Sequence, residues 1–596
     1  MLKTIHQLVR IFTTIIAIFM ATSINTETKA QTKPQEEQNE SKIMIYQVLP
    51  RLYGNKTVLN KKDGSISENG CGKMNDFTDK ELERIKSFGF THIWYTGLLE
   101  HATQTDYSSY GINRDHPAVV KGKAGSPYAV KDYYDIDPDL AVDVEKRMKE
   151  FEALVKRTHK SGLKMIMDFI PNHVARQYKS DKKPSRVKDL GENDDTTLSF
   201  SANNNFYYIT GQPFSTNHIT EKKFPDGPYK EYPAKATGND QFTPSPSVND
   251  WYETIKLNYG VDYIGGRSTH FYPVPDTWKK MTAILKFWAK KGSDGFRCDM
   301  AEMVPCEFWH YAIAEVKKSH PEVKFIAEIY NPNEYRNYIH HGGFDYLYDK
   351  VGLYDTLRCV MTGQSSASSI TGCWQSVDDI QEHMLNFLEN HDEQRIASDF
   401  FAGDAKKGKG ALVVSACMNT NPMMIYAGQE LGETAMEEEG FSGRDGRTTI
   451  FDYWGVKSLQ LLQKGYKSFS EEEKELYNFY QKVITLCNQE PAIKVGKFYD
   501  LMHANYNREN NFNHDKHYAF LRKHNDETLL IVVNFCEESN HVGVRIPENA
   551  FSYLQLKNGK HSAIDLISEE SQTIEIKSDC PTFVTIPGHG AVILKF

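Results

Sequence analysis

DVEKRMKEFEALVKRTHKSGLKMIMDFIPNHV, residues 143–174, decides how this chain folds. Val144, Met148, Phe151, Leu154 and Val155 recur at helical spacing, so they share one face of a helix over 143–161. Gly162 supplies the helix stop, and 163–169 then reads as a short buried strand. One amphipathic helix feeding one apolar strand is the repeating unit of a parallel sheet.

Outward from that unit the same alternation recurs. Upstream, strands are expected over 43–48 and 91–95, with a helix between them starting near Thr78. There Thr78 and Glu81 form a capping-box pair, and Leu82 and Ile85 give the inner stripe. Downstream, a helix over 276–291 carries Trp278, Met281, Leu285 and Trp288 and stops at Gly292. Further strands are expected over 293–298, 323–329, 344–348, 384–388 and 422–426. Eight strands, each followed by a helix, predict a closed α/β TIM barrel, (β/α)8, over 43–495. The rhythm breaks over 174–272, a stretch rich in Asn, Pro, Thr, Lys and Tyr. It is too long for a loop and is read as a domain inserted after the third strand. From 497 to 596 strand-like runs replace helical stripes, predicting an antiparallel β-sandwich.

The 596 residues carry a formal net charge of -9 and no long Lys/Arg block, which excludes nucleic acid or an anionic membrane as the main partner. Aromatic residues make up 12%, so a neutral ligand such as carbohydrate suits the chain better. Lys3 and Arg10, the apolar run 11–20 and Thr28-Lys29-Ala30 before Gln31 read as a signal peptide over 1–30. The apolar run is shorter than the ~20 residues a membrane span needs, so no stable span is expected after its removal. Residues 31–42 read as a disordered linker, and export to the periplasm or the extracellular space is expected. Nine Cys show no C-x-x-C pair and are read as buried small side chains, with disulfides optional.

Chemistry in a barrel belongs at the C-terminal ends of its strands. Four ends are rich in polar residues: DFIPNHV with Asp168, Asn172 and His173; GFRCDMAEM with Arg297 and Asp299; FIAEIY with Glu328; and FLENHDE with Asn390, His391 and Asp392. Arg297 and Asp299 are two apart, so both point into the barrel mouth, where the guanidinium is expected to keep Asp299 ionised as a nucleophile must be. Glu328, ending the next strand among acidic neighbours, is expected to have a raised pKa and to serve as general acid. Two carboxyl groups flanking one glycosidic bond are the minimum machinery for hydrolysing it.

These four segments, in order and spacing, resemble the signature regions of the α-amylase family of glycoside hydrolases (family 13). IYQVLPRLYG, THIWYTG, SPYAVKDYYDIDP and MMIYAGQELGE look like its flanking regions. The resemblance covers about 43–494. It implies retaining cleavage of α-1,4-glucosidic bonds in starch or maltooligosaccharides, with Asp299 as nucleophile, Glu328 as acid/base and Asp392 as transition-state stabiliser. Tyr128, His173, Arg297 and His391 match sugar-binding positions, Asp168 and Asn172 a structural pair below the site, and the inserted and C-terminal regions match domains B and C. Asn172 also matches a calcium ligand. The domain B carboxylates that would complete such a site cannot be picked out by spacing, so calcium stays open; no organic cofactor is implied. Glu302 and Met303 stand where many α-amylases carry Lys-His, which leaves hydrolysis against transglycosylation open. Neopullulanase and cyclomaltodextrinase are the alternatives. That branch usually carries an extra N-terminal β-domain, for which the chain leaves no room before its first strand. A non-catalytic binding subunit would have lost one of the three acids, and all three are present.

Three other signals are set aside. Gly403 to Lys409 nearly spells a phosphate loop but lacks the Ser or Thr that would follow. His340-His341 reads as a loop pair, and Phe206-Tyr207-Tyr208 as domain B core rather than a sugar platform.

Overall fold

The computed structural model describes residues 41–216 and 227–596. The expected signal peptide and nearly all of the linker lie outside the described residues. The linker's last residue is a correction: Lys42 is 3% exposed, and its ammonium donates to the carbonyls of Ala416 (2.6 Å) and Asn419, which ties it into the fold.

Eight parallel strands close into a barrel in chain order. They are Met44–Val48, His92–Tyr95, Lys164–Phe169, Gly295–Cys298, Lys324–Ala327, Tyr346–Tyr348, Met384–Phe387 and Met423–Tyr426, with the last pairing back on the first. Each falls inside the run read from sequence. Strand side chains alternate, and the barrel sorts them by parity. Ile45, Trp94, Ile166, Ile326, Leu385 and Met424 form a cluster of their own in the lumen. Their chain neighbours Met44, Ile93, Met165, Phe325, Met384 and Met423 join the larger core beneath the helices. Arg297 follows the lumen parity, and Asp299, two residues on, follows it to the rim.

Helix Arg147–Lys160 follows a short 3-10 turn, Val144–Lys146, and packs Phe151, Leu154 and Val155 inward before Gly162 turns the chain at φ +76°. Helix Asp79–Ser87 starts where Thr78 accepts from the Glu81 N–H at 3.3 Å; the Glu81 carboxylate turns to Tyr53 and Arg84, so the reciprocal half of the box is missing. The insertion opens with strand His173–Ala175, paired antiparallel with Thr254–Lys256, and holds further two-stranded pairs. Phe206, Tyr207 and Tyr208 are buried in it, as core.

The C-terminal region is a six-stranded sheet with a two-stranded pair, Asn540–Arg545 and Pro581–Ile586; the pairings within both are antiparallel. It also contains helix Glu548–Leu554, too short to leave a stripe in the sequence. Buried Arg522 joins sheet to barrel by donating to the carbonyls of Ala492 (2.9 Å), Met418 (2.6 Å) and Ile493 (3.0 Å). The phosphate-loop lookalike runs into helix Gly408–Cys417, buried beside that sheet. A Cβ on Gly410 would lie 2.7 Å from Val533, so close packing explains the glycine. All nine Cys are free, and no helix among the described residues is long and apolar enough to cross a membrane.

Candidate active site

Arg297 organises the rim. Its guanidinium is fully buried among Trp94, Tyr128 and Tyr348, whose ring centroids lie 5.3, 5.4 and 5.5 Å from it. Nη1 donates to Asp299 Oδ1 at 2.8 Å and stands 3.6 Å from Asp168 Oδ1, while Nη2 faces Glu328 Oε2 at 2.8 Å. Arg297 therefore serves both expected catalytic carboxylates rather than Asp299 alone. Nε completes its bonding at the Tyr348 hydroxyl, 3.1 Å away.

Just past Asp299 the chain makes a left-handed turn. Met300 adopts φ +41°, ψ 44°, a left-handed conformation that costs an ordinary L-residue energy. The turn aims its N–H at Glu328 Oε2, 2.8 Å away. The other oxygen of Glu328 accepts from the Tyr330 hydroxyl at 2.6 Å. Two hydrogen bonds and one ion-pair contact, from three places, thus hold one carboxylate. Glu302, at the altered position, accepts the N–H groups of Tyr330 (3.2 Å) and Asn331 (3.0 Å), and so braces the loop that carries Tyr330.

Across the mouth, His391 is wedged between Gln47 and Tyr128. Gln47 Nε2 lies 2.8 Å from Nδ1, the Tyr128 hydroxyl meets Nε2, and the two rings stack at 5.1 Å and 17°. His391 Nε2 is 3.0 Å from Asp392, which is more open than its partners and faces the cavity. Asp168 sits below, accepting from Trp94 Nε1 (3.1 Å) and the Gly97 N–H (3.2 Å). A cavity of about 200 Å³ collects Tyr128, His173, Asp299, Glu328 and Asp392, with Lys121, Trp251, Glu253 and Tyr330 added. Of the nine candidate site residues, five line this cavity, Arg297, His391 and Asp168 bond to them, and Asn172 adjoins His173. Tyr330 was missed although its position was readable: it lies two residues after Glu328 and shares its face. Trp251, whose ring packs against His173 at 5.2 Å, comes from the insertion and left no such signal.

The family profile described as "Alpha amylase, catalytic domain" matches residues 47–496. The chain belongs to the α-amylase family of glycoside hydrolases. It is a glycosidase. "Alpha-amylase 3" of Dictyoglomus thermophilum is 24% identical over 72% of this chain and 75% of its own length; two further α-amylases are covered over 62% and 56% of theirs. "Neopullulanase 2" of Thermoactinomyces vulgaris is 21% identical over 85% of this chain and 71% of its own. In fold, the chain resembles a maltogenic α-amylase of Thermotoga neapolitana with a TM-score of 0.61 at 19% identity, over 94% of this chain and 99% of that one.

Electrostatics of the α-amylase-family site depart from expectation at Asp299. Burial, with Glu328 and Asp392 alongside, pushes its carboxyl well above the usual carboxylate range, against the pull of Arg297. One guanidinium is shared among several acids, so its pull on Asp299 does not offset the burial and the acidic neighbours. At Asp392 burial also pushes upward, but His391, Arg297 and Arg447 outweigh it and hold the group below its ordinary value. Burial, aided by Lys256, drops His173 to about 3, so its ring is neutral.

Asn172 does not fit the role of calcium ligand. Its Oδ1 accepts from the Lys256 ammonium at 2.8 Å, and its Nδ2 donates to the Gly238 carbonyl at 2.8 Å. Lys256 is 1% exposed and pairs with Asp240 at 2.6 Å. An ammonium fills the cation position between barrel and insertion, and a calcium ion beside it would set two buried positive charges together.

Proposed function

We propose that the chain hydrolyses α-1,4-glucosidic bonds of starch-type glucans or maltooligosaccharides with retention of configuration. The observation carrying this reading is the single guanidinium of Arg297 held between Asp299 and Glu328, with Asp392 facing the same cavity. In the first step Glu328 gives its proton to the glycosidic oxygen while Asp299 attacks the anomeric carbon. The carbon–oxygen bond breaks, and the departing chain leaves as an alcohol. Glu328, now a carboxylate, takes a proton from water, and that water displaces Asp299 from the glycosyl ester. Arg297 holds Asp299 Oδ1, so Oδ2 is the oxygen offered to the sugar. Tyr330 and the Met300 N–H keep Glu328 aimed. Asp392 and His391 grip hydroxyls as the ring distorts, and Tyr128 lies under it.

An open groove of about 1250 Å³ runs alongside, lined by Phe271, Tyr272, Trp278, Glu302, Asn331 and His341. Because Glu302 and Asn331 adjoin the catalytic loops, this groove suits the leaving-chain side of a long glucan. The second reading, cyclomaltodextrin hydrolysis, neopullulanase action or transglycosylation, is favoured by Glu302, which is spent on bracing the Tyr330 loop where many α-amylases touch the leaving sugar. Incubation with amylose, pullulan and cyclodextrins separates the two. Rapid chain shortening of amylose supports the first; preferential opening of cyclodextrins or panose release from pullulan overturns it. We propose also that the chain is exported, on the strength of Lys3, Arg10 and the apolar run 11–20. A mature N-terminus at Gln31 is the expected outcome of terminal sequencing.

A further inference from the structure

Beyond the second barrel strand the chain forms a hairpin, Leu99–His101 against Val130–Ile136, in which Glu100 is paired directly opposite Asp132. Like charges so placed repel. Asp135, on the same strand, and Asp181, from the first turns of the insertion, complete a cluster in which one carboxylate oxygen from each residue lies within 4.8 Å of all the others. Three of the four are buried and Asp181 is exposed.

Two of the buried acids have donors. Asp132 accepts from Ser180 Oγ (2.6 Å) and from the N–H groups of Tyr134 (2.8 Å), Asp181 (2.9 Å) and Lys182 (3.0 Å). Asp135 accepts from Arg147 Nε at 2.9 Å and from the Ile136 N–H at 2.8 Å. Glu100 has none. It is 1% exposed, both its oxygens are without a hydrogen-bond partner, and it points into three other acids. The neighbouring Lys131 ammonium is committed to Asp115 at 2.9 Å and to the Asn113 carbonyl. A buried carboxylate left without a donor or a cation costs several kcal/mol.

We propose that Glu100, Asp132, Asp135 and Asp181 bind a divalent cation of the calcium class. Calcium takes oxygen ligands at about 2.3–2.6 Å, so oxygens on opposite sides of one ion stand about 4.6–5.2 Å apart, the scale of this cluster. The exposed Asp181 side leaves room for the waters that complete a calcium shell. The ion ties the loop after the second strand to the root of the insertion. It also anchors strand Val130–Ile136, which begins two residues after Tyr128. It is a different place from Asn172, where Lys256 supplies the positive charge.

The test uses the full chain, stripped with chelator, in metal analysis and thermal melting with calcium or magnesium added. The expected result is one calcium per chain and a melting temperature raised by at least about 3 °C by calcium. Glu100→Gln should remove both the bound calcium and the shift; if that variant does not fold, Asp181→Asn, at the exposed edge, should weaken both. A wild type that carries no calcium and melts identically with and without it would overturn the proposal, because Glu100 would then be held as a neutral acid. Unchanged calcium dependence in Glu100→Gln, or in Asp181→Asn where that variant is used, would place the ion elsewhere and overturn it as well.

Discussion

Two clusters of carboxylates follow the C-terminal ends of barrel strands, and they solve one problem differently. At the barrel mouth, Asp168, Asp299 and Glu328 surround Arg297, which the chain itself inserts among them. In the hairpin, Glu100 faces Asp132, Asp135 and Asp181 with no donor on either oxygen. The first cluster is complete as folded, because a reaction site must hold its charges in fixed geometry before substrate arrives. The second is complete only with an ion from solution. The first cluster thus has its counter-charge built in and aimed, while in the second the Glu100 carboxylate is left without one.

The widest difference between the clusters should appear in catalysis. Asp299→Asn or Glu328→Gln should lower turnover on amylose by about 10⁴-fold or more with the melting temperature nearly unchanged. Glu100→Gln, in the presence of calcium, should change melting far more than the chemical step. Comparable turnover losses in all three variants would erase the distinction. Next in size, Asp392→Asn should cost about 10³-fold in kcat, and its residual activity carries a second signature. Removing a negative neighbour lowers the raised pKa of Asp299, so the acid limb of the pH profile should move to lower pH. A limb that stays in place would detach Asp392 from the mouth cluster.

Asp349 offers a third case, a lone buried carboxyl with backbone donors only, such as the Leu353 N–H at 2.8 Å. Burial pushes it up to about 6. A folded pKa above the unfolded value of about 3.9 means that its stabilising share is present at low pH and is lost as pH rises through 6. Asp349→Asn should therefore flatten the decline in stability between pH 4 and 7, by on the order of 2–3 kcal/mol, in denaturant titrations. The smallest effect is expected at Tyr330→Phe, about tenfold in kcat with KM little changed, since one of the two hydrogen bonds to Glu328 is removed while its contact with Arg297 stays.

The barrel was legible because its strands are short, bounded apolar runs between helical stripes, and all eight lie within the runs read from sequence. Asp299, Glu328 and Asp392 were legible because strand ends in a barrel converge. What stayed hidden depends on contacts between distant segments. Lys256 reaches Asn172 across 84 residues, and no local pattern announces that an ammonium meets the oxygen expected to face a metal ion. Glu100 lies on the hairpin and Asp181 in the insertion; the hairpin register sets Glu100 opposite Asp132, whose carboxylate accepts the Asp181 N–H. The effect of Arg297 on Asp299 was misjudged for the same reason. Spacing gives the pair but not the acids from other strands that share the guanidinium.

The most direct test of the account is covalent trapping. A fluorinated α-glucosyl fluoride that slows hydrolysis of the glycosyl-enzyme, followed by peptide mass spectrometry, reads which carboxylate is attacked onto the sugar. The account predicts one hexosyl adduct on the peptide bearing Asp299, lost in Asp299→Asn. An adduct on Glu328 or Asp392, or labelling that persists in Asp299→Asn, would contradict it.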